Sequence, residues 1–251
     1  MKRDVLAWPS AYRGDASLSV LLIVQSLVTF VAVPVGALLT DSPWILDLGS
    51  LLFAAVCAAT LTDRIGVRIV LIVAVAAFAF APWLWASSGA DGGRAAAAVH
   101  PAAAAVAFGF DVVVTVLVAR MAFSEGPVTV HRIVGAVLVY LNVAVLFAIV
   151  YDLMYLVSPG SLHYSSGGGV SPVLAVRLSD LSYFSLTTLT TAGYGDIVPV
   201  HPIARSIANL ESMFGQLFPA IVLSRLVSLN LVHSGASHAT ARATDGDASE
   251  P

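Results

Sequence analysis

The chain has 251 residues, of which 58% are hydrophobic and 11% charged, with a formal net charge of -3. Water-soluble domains carry about 25% charged and about 45–50% apolar residues, so this composition suits lipid and excludes a soluble enzyme. The charges are spread along the chain, which leaves no basic face for nucleic acid.

The apolar residues gather in blocks of roughly 20, the length of a helix crossing about 30 Å of hydrocarbon. Strands of a membrane barrel would instead alternate over about 10 residues. After an amino-terminal segment, 1–17, the first block runs from Leu18 to Leu39. It follows Lys2, Arg3 and Arg13 but exceeds the 7–15 apolar residues typical of a secretory signal. Further spans are predicted at Trp44–Leu61, Val67–Trp85, Ala95–Val118, Ile133–Val157 and Ile203–Leu231, six in all. Cys57 lies inside the second and has no partner in the chain for a disulfide. Before the last span, Ser158–Ser171 is rich in Gly, Ser and Pro and reads as an exposed loop. Ala175–Thr191 is apolar but too short to cross, and it runs into glycines, which suits a re-entrant helix. The tail, 232–251, is rich in Ala, Ser, Asp and Gly and reads as disordered.

Basic residues set the orientation. With a cytoplasmic amino end, the inner segments hold Lys2, Arg3, Arg13, Arg64, Arg68, Arg120, Arg132, Arg225 and Arg242. The outer ones hold Arg94, Arg177 and Arg205, nine against three. The positive-inside rule then places both termini in the cytoplasm, the re-entrant segment outside, and the protein in the cytoplasmic membrane as a multi-pass chain.

The chemistry lies in Tyr183–Pro199, YFSLTTLTTAGYGDIVP. Gly193 and Gly195 alternate with Ala192 and Tyr194, and glycine reaches left-handed backbone angles without steric cost. A backbone that alternates hand turns successive carbonyls to one side, and carbonyl oxygens can replace the water shell of an alkali cation. One strand cannot surround an ion, so copies must converge on an axis, and fourfold symmetry supplies layers of four oxygens. A helix over about Ser179–Thr190, with Asp180 as its amino cap, would point its negative carboxyl end at the ion.

Thr191-Ala192-Gly193-Tyr194-Gly195-Asp196 resembles the signature of potassium channels, with Ala192 where the family usually has Val. The resemblance covers roughly Asp180–Val227, about a fifth of the chain. It takes in Tyr183-Phe184, Thr190-Thr191, Ile197-Val198-Pro199, Arg205, Glu211, Gly215-Gln216 and Ser224-Arg225-Leu226-Val227. It implies an all-α membrane protein, a homotetramer with six transmembrane helices, a re-entrant pore helix and a selectivity filter. In that reading 18–123 is a peripheral bundle of four helices, similar in topology to a voltage sensor but without an arginine ladder. Residues 131–231 form the pore domain. Potassium would bind the carbonyls of Thr191, Ala192, Gly193 and Tyr194 within a filter that ends at Gly195, with the Thr191 hydroxyl closing its inner end. Tyr183, Thr187, Thr190 and Asp196 would support the filter, and Gly215 would match the family's gating hinge. Ala192 lacks the branched side chain that packs behind the filter, and Thr187 stands where some relatives have an acid.

Several residues keep two readings. Tyr183 is either an interfacial aromatic or a phenol bonded to Asp196. Gly215 is either a close helix contact or, with Pro219, a bend in the last helix. Gln216 and Ser224 face a cavity or bond a neighbouring helix. Asp111, near the middle of the fourth span, is an intramembrane acid and hence a functional candidate, or the buried partner of another polar group. Asp152 reads as interfacial, and His100 and His131 as solvated span ends. No metal cluster, nucleophile with its base or phosphate loop is present in the sequence. The expected function is passive potassium conduction, with potassium as the permeant ion, no other cofactor, and lipid and further copies of the chain as partners. The alternatives are a weakly selective cation channel, a secondary transporter, which would show broken helices in both halves, and a non-conducting structural subunit.

Overall fold

In lipid every backbone polar group must be satisfied within the protein, and the described residues do so mostly as helix. The computed structural model describes residues 8–39, 49, 51–57, 93–123, 130–165, 167, 171 and 173–247. Helix α1 (Trp8–Leu27) passes through a π-helical turn at Val28–Ala32 into α2 (Val33–Leu38). Pro34, in the first turn of α2, supplies no amide and crowds the turn before it, which accounts for the widened winding there. Residues 51–57 are helical. Then come α3 (Gly93–Ala122), α4 (Val130–Val157), strand β1 (Leu162–Tyr164), α5 (Leu174–Leu189), strand β2 (Ile197–Pro199) and α6 (Pro202–Asp247).

Among the described residues, four stretches of helix are long and apolar enough to cross a membrane: Leu18–Leu38, Pro101–Ala122, Val130–Val157 and Pro202–Ser224. They coincide with the first, fourth, fifth and last predicted spans. The predicted span Val67–Trp85 lies outside the described residues, as do Arg64, Arg68 and all of Trp44–Leu61 apart from 49 and 51–57. At 16 residues, α5 is about 24 Å long and falls short of a crossing.

Three expectations are corrected. Helix α5 begins at Leu174 behind an extended Val173, so Asp180 lies within the helix and caps nothing. The earlier start follows from its first turns, where Ala175 and Arg177 are buried against the bundle. The segment Ser158–Ser171 is not all exposed loop, because β1 lies in it with Leu162 and Tyr164 buried. The tail is helical as far as Asp247. It is rich in alanine, the best helix former, and no proline occurs between Pro219 and Pro251 to stop the winding.

Two apolar clusters hold the elements together. One joins Leu18 and Leu21 of α1, Phe53 and Cys57, Val114 and Val118 of α3, and Leu138, Val139 and Val143 of α4 to Leu189 at the end of α5. Helices α3 and α4 approach closely there, since a Cβ on Gly135 would come within 2.9 Å of the Ala122 Cβ. The other cluster gathers Ala148, Tyr151, Leu162, Tyr164, Leu181, Phe184, Ile197, Ala204 and Ala208, from α4, the two strands, α5 and α6. The strands pair antiparallel, with Leu162 opposite Pro199 and Tyr164 opposite Ile197.

An ion pair fixes the start of α5. Arg177 Nε lies 2.7 Å from Asp152 Oδ1 of α4, with both side chains buried, and its guanidinium carbon is 5.0 Å from the centre of the Tyr155 ring. The pair gives Asp152 and Arg177 a buried partner in each other, a contact the sequence reading did not foresee.

Candidate functional site

The last four carbonyls of a helix have no partner within it. At the end of α5 each one finds a partner elsewhere. The Leu186 carbonyl accepts the Thr190 amide at 3.0 Å and the Thr190 hydroxyl at 2.7 Å. The Thr187 carbonyl accepts the amides of Ala192 at 2.8 Å and Gly193 at 3.2 Å. The Thr188 carbonyl accepts the Thr191 amide at 3.0 Å and the Ser212 hydroxyl of α6 at 3.3 Å. The Leu189 carbonyl accepts the Tyr140 hydroxyl of α4 at 3.1 Å.

Those bonds turn the amides of Thr191, Ala192 and Gly193 back onto the helix. Along the same stretch the backbone alternates hand, with φ +57° at Thr191, +50° at Gly193 and +79° at Gly195, whereas Ala192 and Tyr194 have negative φ. Among the described residues no backbone amide bonds to the carbonyls of Thr191 through Gly195. Residues 190–196 are all exposed on the single chain, Tyr194 at 73%. The strand is thus exposed and alternates hand, and its carbonyls are left without backbone donors among the described residues.

The supporting residues are placed as follows. Tyr183 hydrogen-bonds the Asp196 carboxylate, which holds its phenol above the ordinary value, and its ring stacks on Tyr194 with centroids 6.3 Å apart and planes 5° from parallel. Asp196 also accepts the Ile197 amide at 3.1 Å. Thr187 acts through its carbonyl, while its hydroxyl turns back to the Phe184 carbonyl at 3.0 Å. Gln216 donates to the Thr191 hydroxyl at 2.8 Å, so it bonds a neighbouring segment. Burial pushes the Asp180 carboxyl and the Tyr164 phenol above their ordinary values, and the nearby Asp180 adds to the tyrosine's shift.

Gly215 packs face to face with the end of α5: a Cβ there would stand 1.8 Å from the Leu189 carbonyl oxygen. The structure therefore gives Gly215 a close contact, and α6 runs as unbroken helix through it and Pro219. The site also contains residues to which sequence reasoning gave no role, although it counted Glu211 in the resemblance. Glu211 of α6 is fully buried and meets Tyr151 of α4 and Ser185 of α5. An acid in an apolar span was the signal that singled out Asp111, and it applied equally to Glu211. Asp111 itself is buried, and among the described residues its Oδ2 has no hydrogen-bond partner; the same holds for the Thr115 hydroxyl and both amide atoms of Asn142.

Two substitutions probe this geometry. Gly215→Ala should drive α6 off the end of α5 and lower the unfolding temperature of the purified protein in detergent, since overpacking costs about 1–3 kcal/mol; an unchanged temperature would favour the bend. Tyr183→Phe keeps the ring stack and loses one bond worth about 0.5–1.5 kcal/mol. Hydrogen exchange at the Ile197 amide should then quicken by up to about tenfold, tenfold being 1.4 kcal/mol.

Comparison with known proteins agrees with this geometry. Residues 139–231 match the family described as ion channel. The chain is 32% identical to the protein LctB of Bacillus caldotenax over 88 residues, 35% of this chain and 64% of that protein. It is 30% identical to the inward rectifier potassium channel Kirbac3.1 of Paramagnetospirillum magnetotacticum over 102 residues, 39% of this chain and 28% of the relative. It is 38% identical to the two pore potassium channel c of Oryza sativa subsp. japonica over 89 residues, 34% of this chain and 18% of the relative. The chain thus spans less than two thirds of the length of each of these relatives, and no solved structure matches it. The apolar helices mark a membrane protein, and residues 139–231, which carry the exposed strand and its carbonyls, match the ion channel family.

Proposed function

We propose that four copies of this chain surround an axis lined by the carbonyls of Thr191, Ala192, Gly193 and Tyr194, and that potassium crosses the membrane passively along it. The observation that carries the reading is the run of left-handed angles at Thr191, Gly193 and Gly195, with the adjoining amides tied back to Thr187 and Thr188. Such a strand presents dipoles that can stand in for the water around an alkali ion. The six-residue exposed face, 191–196, is surface that fourfold assembly would cover. The names of the two potassium-channel relatives support the choice of ion.

In this assembly α5 is re-entrant, entering from the outer side, and α4 and α6 are the outer and inner helices of the pore. Six spans place both termini in the cytoplasm, with the first four forming a peripheral bundle. Potassium is the permeant ion and no other cofactor is required. Bending of the inner helix falls to Pro219, one turn past the Gly215 contact. A second reading rests on Ala192, whose small side chain leaves the filter less firmly packed than Val would, and gives a weakly selective cation channel. Reversal potentials in mixed sodium and potassium separate the two.

Gly193→Ala should abolish potassium-selective flux into liposomes. A side chain at this left-handed position costs roughly 1–2 kcal/mol in each copy, and every copy carries it. Selective flux at the wild-type rate would end the carbonyl reading.

Conductance should also vary little with voltage. A charge crossing the full field yields about 2.3 kcal/mol per 100 mV, so steep gating needs several basic residues along one helix. Helix α3 has Arg94 and Arg120 near its ends and Asp111 as its one charge between them. Conductance measured over about ±100 mV in symmetrical potassium should show no sigmoidal activation equivalent to three or more charges per subunit.

A further inference from the structure

Glu211, Ser185, Tyr151 and the Ala144 carbonyl form a closed cluster where α4, α5 and α6 meet. The Tyr151 hydroxyl lies 2.7 Å from Glu211 Oε2. The Ser185 Oγ lies 2.5 Å from Glu211 Oε1 and 2.7 Å from the Ala144 carbonyl oxygen. Glu211, Ser185 and Tyr151 have no measurable exposure, so water does not complete the set.

The protons in this cluster can be counted. A tyrosine and a serine hydroxyl bring one proton each, whereas a carbonyl and a carboxylate bring none. Three short contacts therefore share two protons if Glu211 is ionised. Tyr151 spends its proton on Oε2, and Ser185 can serve either the carbonyl or Oε1. The remaining contact would set two lone pairs against each other at hydrogen-bond distance. A proton on Oε1 removes the conflict: Glu211 donates to Ser185, Ser185 donates to Ala144, and Tyr151 donates to Glu211. Among the described residues the titratable groups that face Glu211 are Tyr151 and Tyr140, both on α4, while α5 offers Ser185 and no cation. No positive charge among the described residues is therefore at hand to compensate an ionised carboxylate, and a buried charge without one is costly.

We propose that Glu211 is a positioning residue that works as the neutral acid, latching α5 to the inner and outer helices, and that loss of its proton releases the latch and closes the filter. Ser185 lies two residues before Thr187, whose carbonyl anchors the amides of Ala192 and Gly193, so freeing this part of α5 frees the filter. The inference rests on reading α4, α5 and α6 as the pore.

The test uses the full chain in potassium-loaded liposomes and, separately, infrared spectroscopy. Wild-type flux should be lost as pH rises from neutral into the alkaline range, because the competent form is the protonated one. Glu211→Gln, whose amide can donate to Ser185 and accept from Tyr151, should keep its flux and show no such loss. At neutral pH the wild type should show a carboxylic-acid carbonyl band that Glu211→Gln removes and Ser185→Ala moves to higher frequency. An assembled Glu211→Gln protein without flux, or one with the wild-type pH profile, would overturn the proposal. If Glu211→Gln fails to assemble, the band decides alone, and its absence or its indifference to Ser185→Ala refutes the neutral acid. Absence of flux in the wild type would instead refute the pore reading, while the infrared result still reports the proton on Glu211.

Discussion

The rest of this structure depends on how α5 ends. A helix terminus leaves carbonyls in need of donors, and here those donors come from α4, from α6 and from the residues that follow the helix itself. The amides of Thr191, Ala192 and Gly193 are used up in this capping, and only then are the carbonyls of the same residues left unclaimed. The left-handed angles at Thr191 and Gly193 are the geometric counterpart of that arrangement. Thr191 takes an angle unfavourable for a side-chain-bearing residue, and the Gln216 amide on its hydroxyl helps to hold it there.

Helix α4 is the element on which the others are hung. Tyr140, Ala144 and Tyr151 recur at spacings of four and seven, which puts them on one face, and each makes a polar tie to α5 or α6. Asp152 adds the ion pair with Arg177. In lipid the helices gain little from hiding apolar surface from one another, so interhelical hydrogen bonds and close contacts at small residues carry more of the specificity. Among the described glycines, Gly135 against Ala122 and Gly215 against Leu189 are the two that approach a neighbour most closely.

Much of the site was legible in the sequence, because its chemistry is local. Alternation of Gly193 and Gly195 with larger residues reports a backbone angle directly, and Tyr183 reached Asp196 as one of its two readings had it. The spans were legible through length and hydropathy wherever the structure describes them. What escaped were the partnerships between distant residues. Arg177 and Asp152 are 25 positions apart, and Tyr151 and Glu211 are 60 apart. No periodicity marks such pairs, although an arginine or an acid in an apolar run does announce that a partner must exist. Strand β1 was missed for a different reason, since three residues in a glycine- and serine-rich segment give too little alternation to notice. The start of α5 was misplaced because Asp180 has the chemistry of a cap while the buried Arg177 decides the matter.

The ribbon of β1 and β2 has a topological consequence. Pairing Tyr164 with Ile197, reinforced by the Ser165 amide on the Asp196 carbonyl at 2.8 Å, joins the two ends of the segment that contains α5 and the exposed strand. That segment is thereby a closed ring, and closing it in advance removes the loop entropy that would otherwise have to be lost each time the strand ordered. A ring moves as one body. Swinging of the far end of α6 can tilt or translate it without pulling its ends apart, whereas a force on 161–165 acts on Asp196 through a single hydrogen-bonded step. The segment between α4 and α5 is in this sense a handle on the exposed strand, reachable from the surface that carries the ribbon.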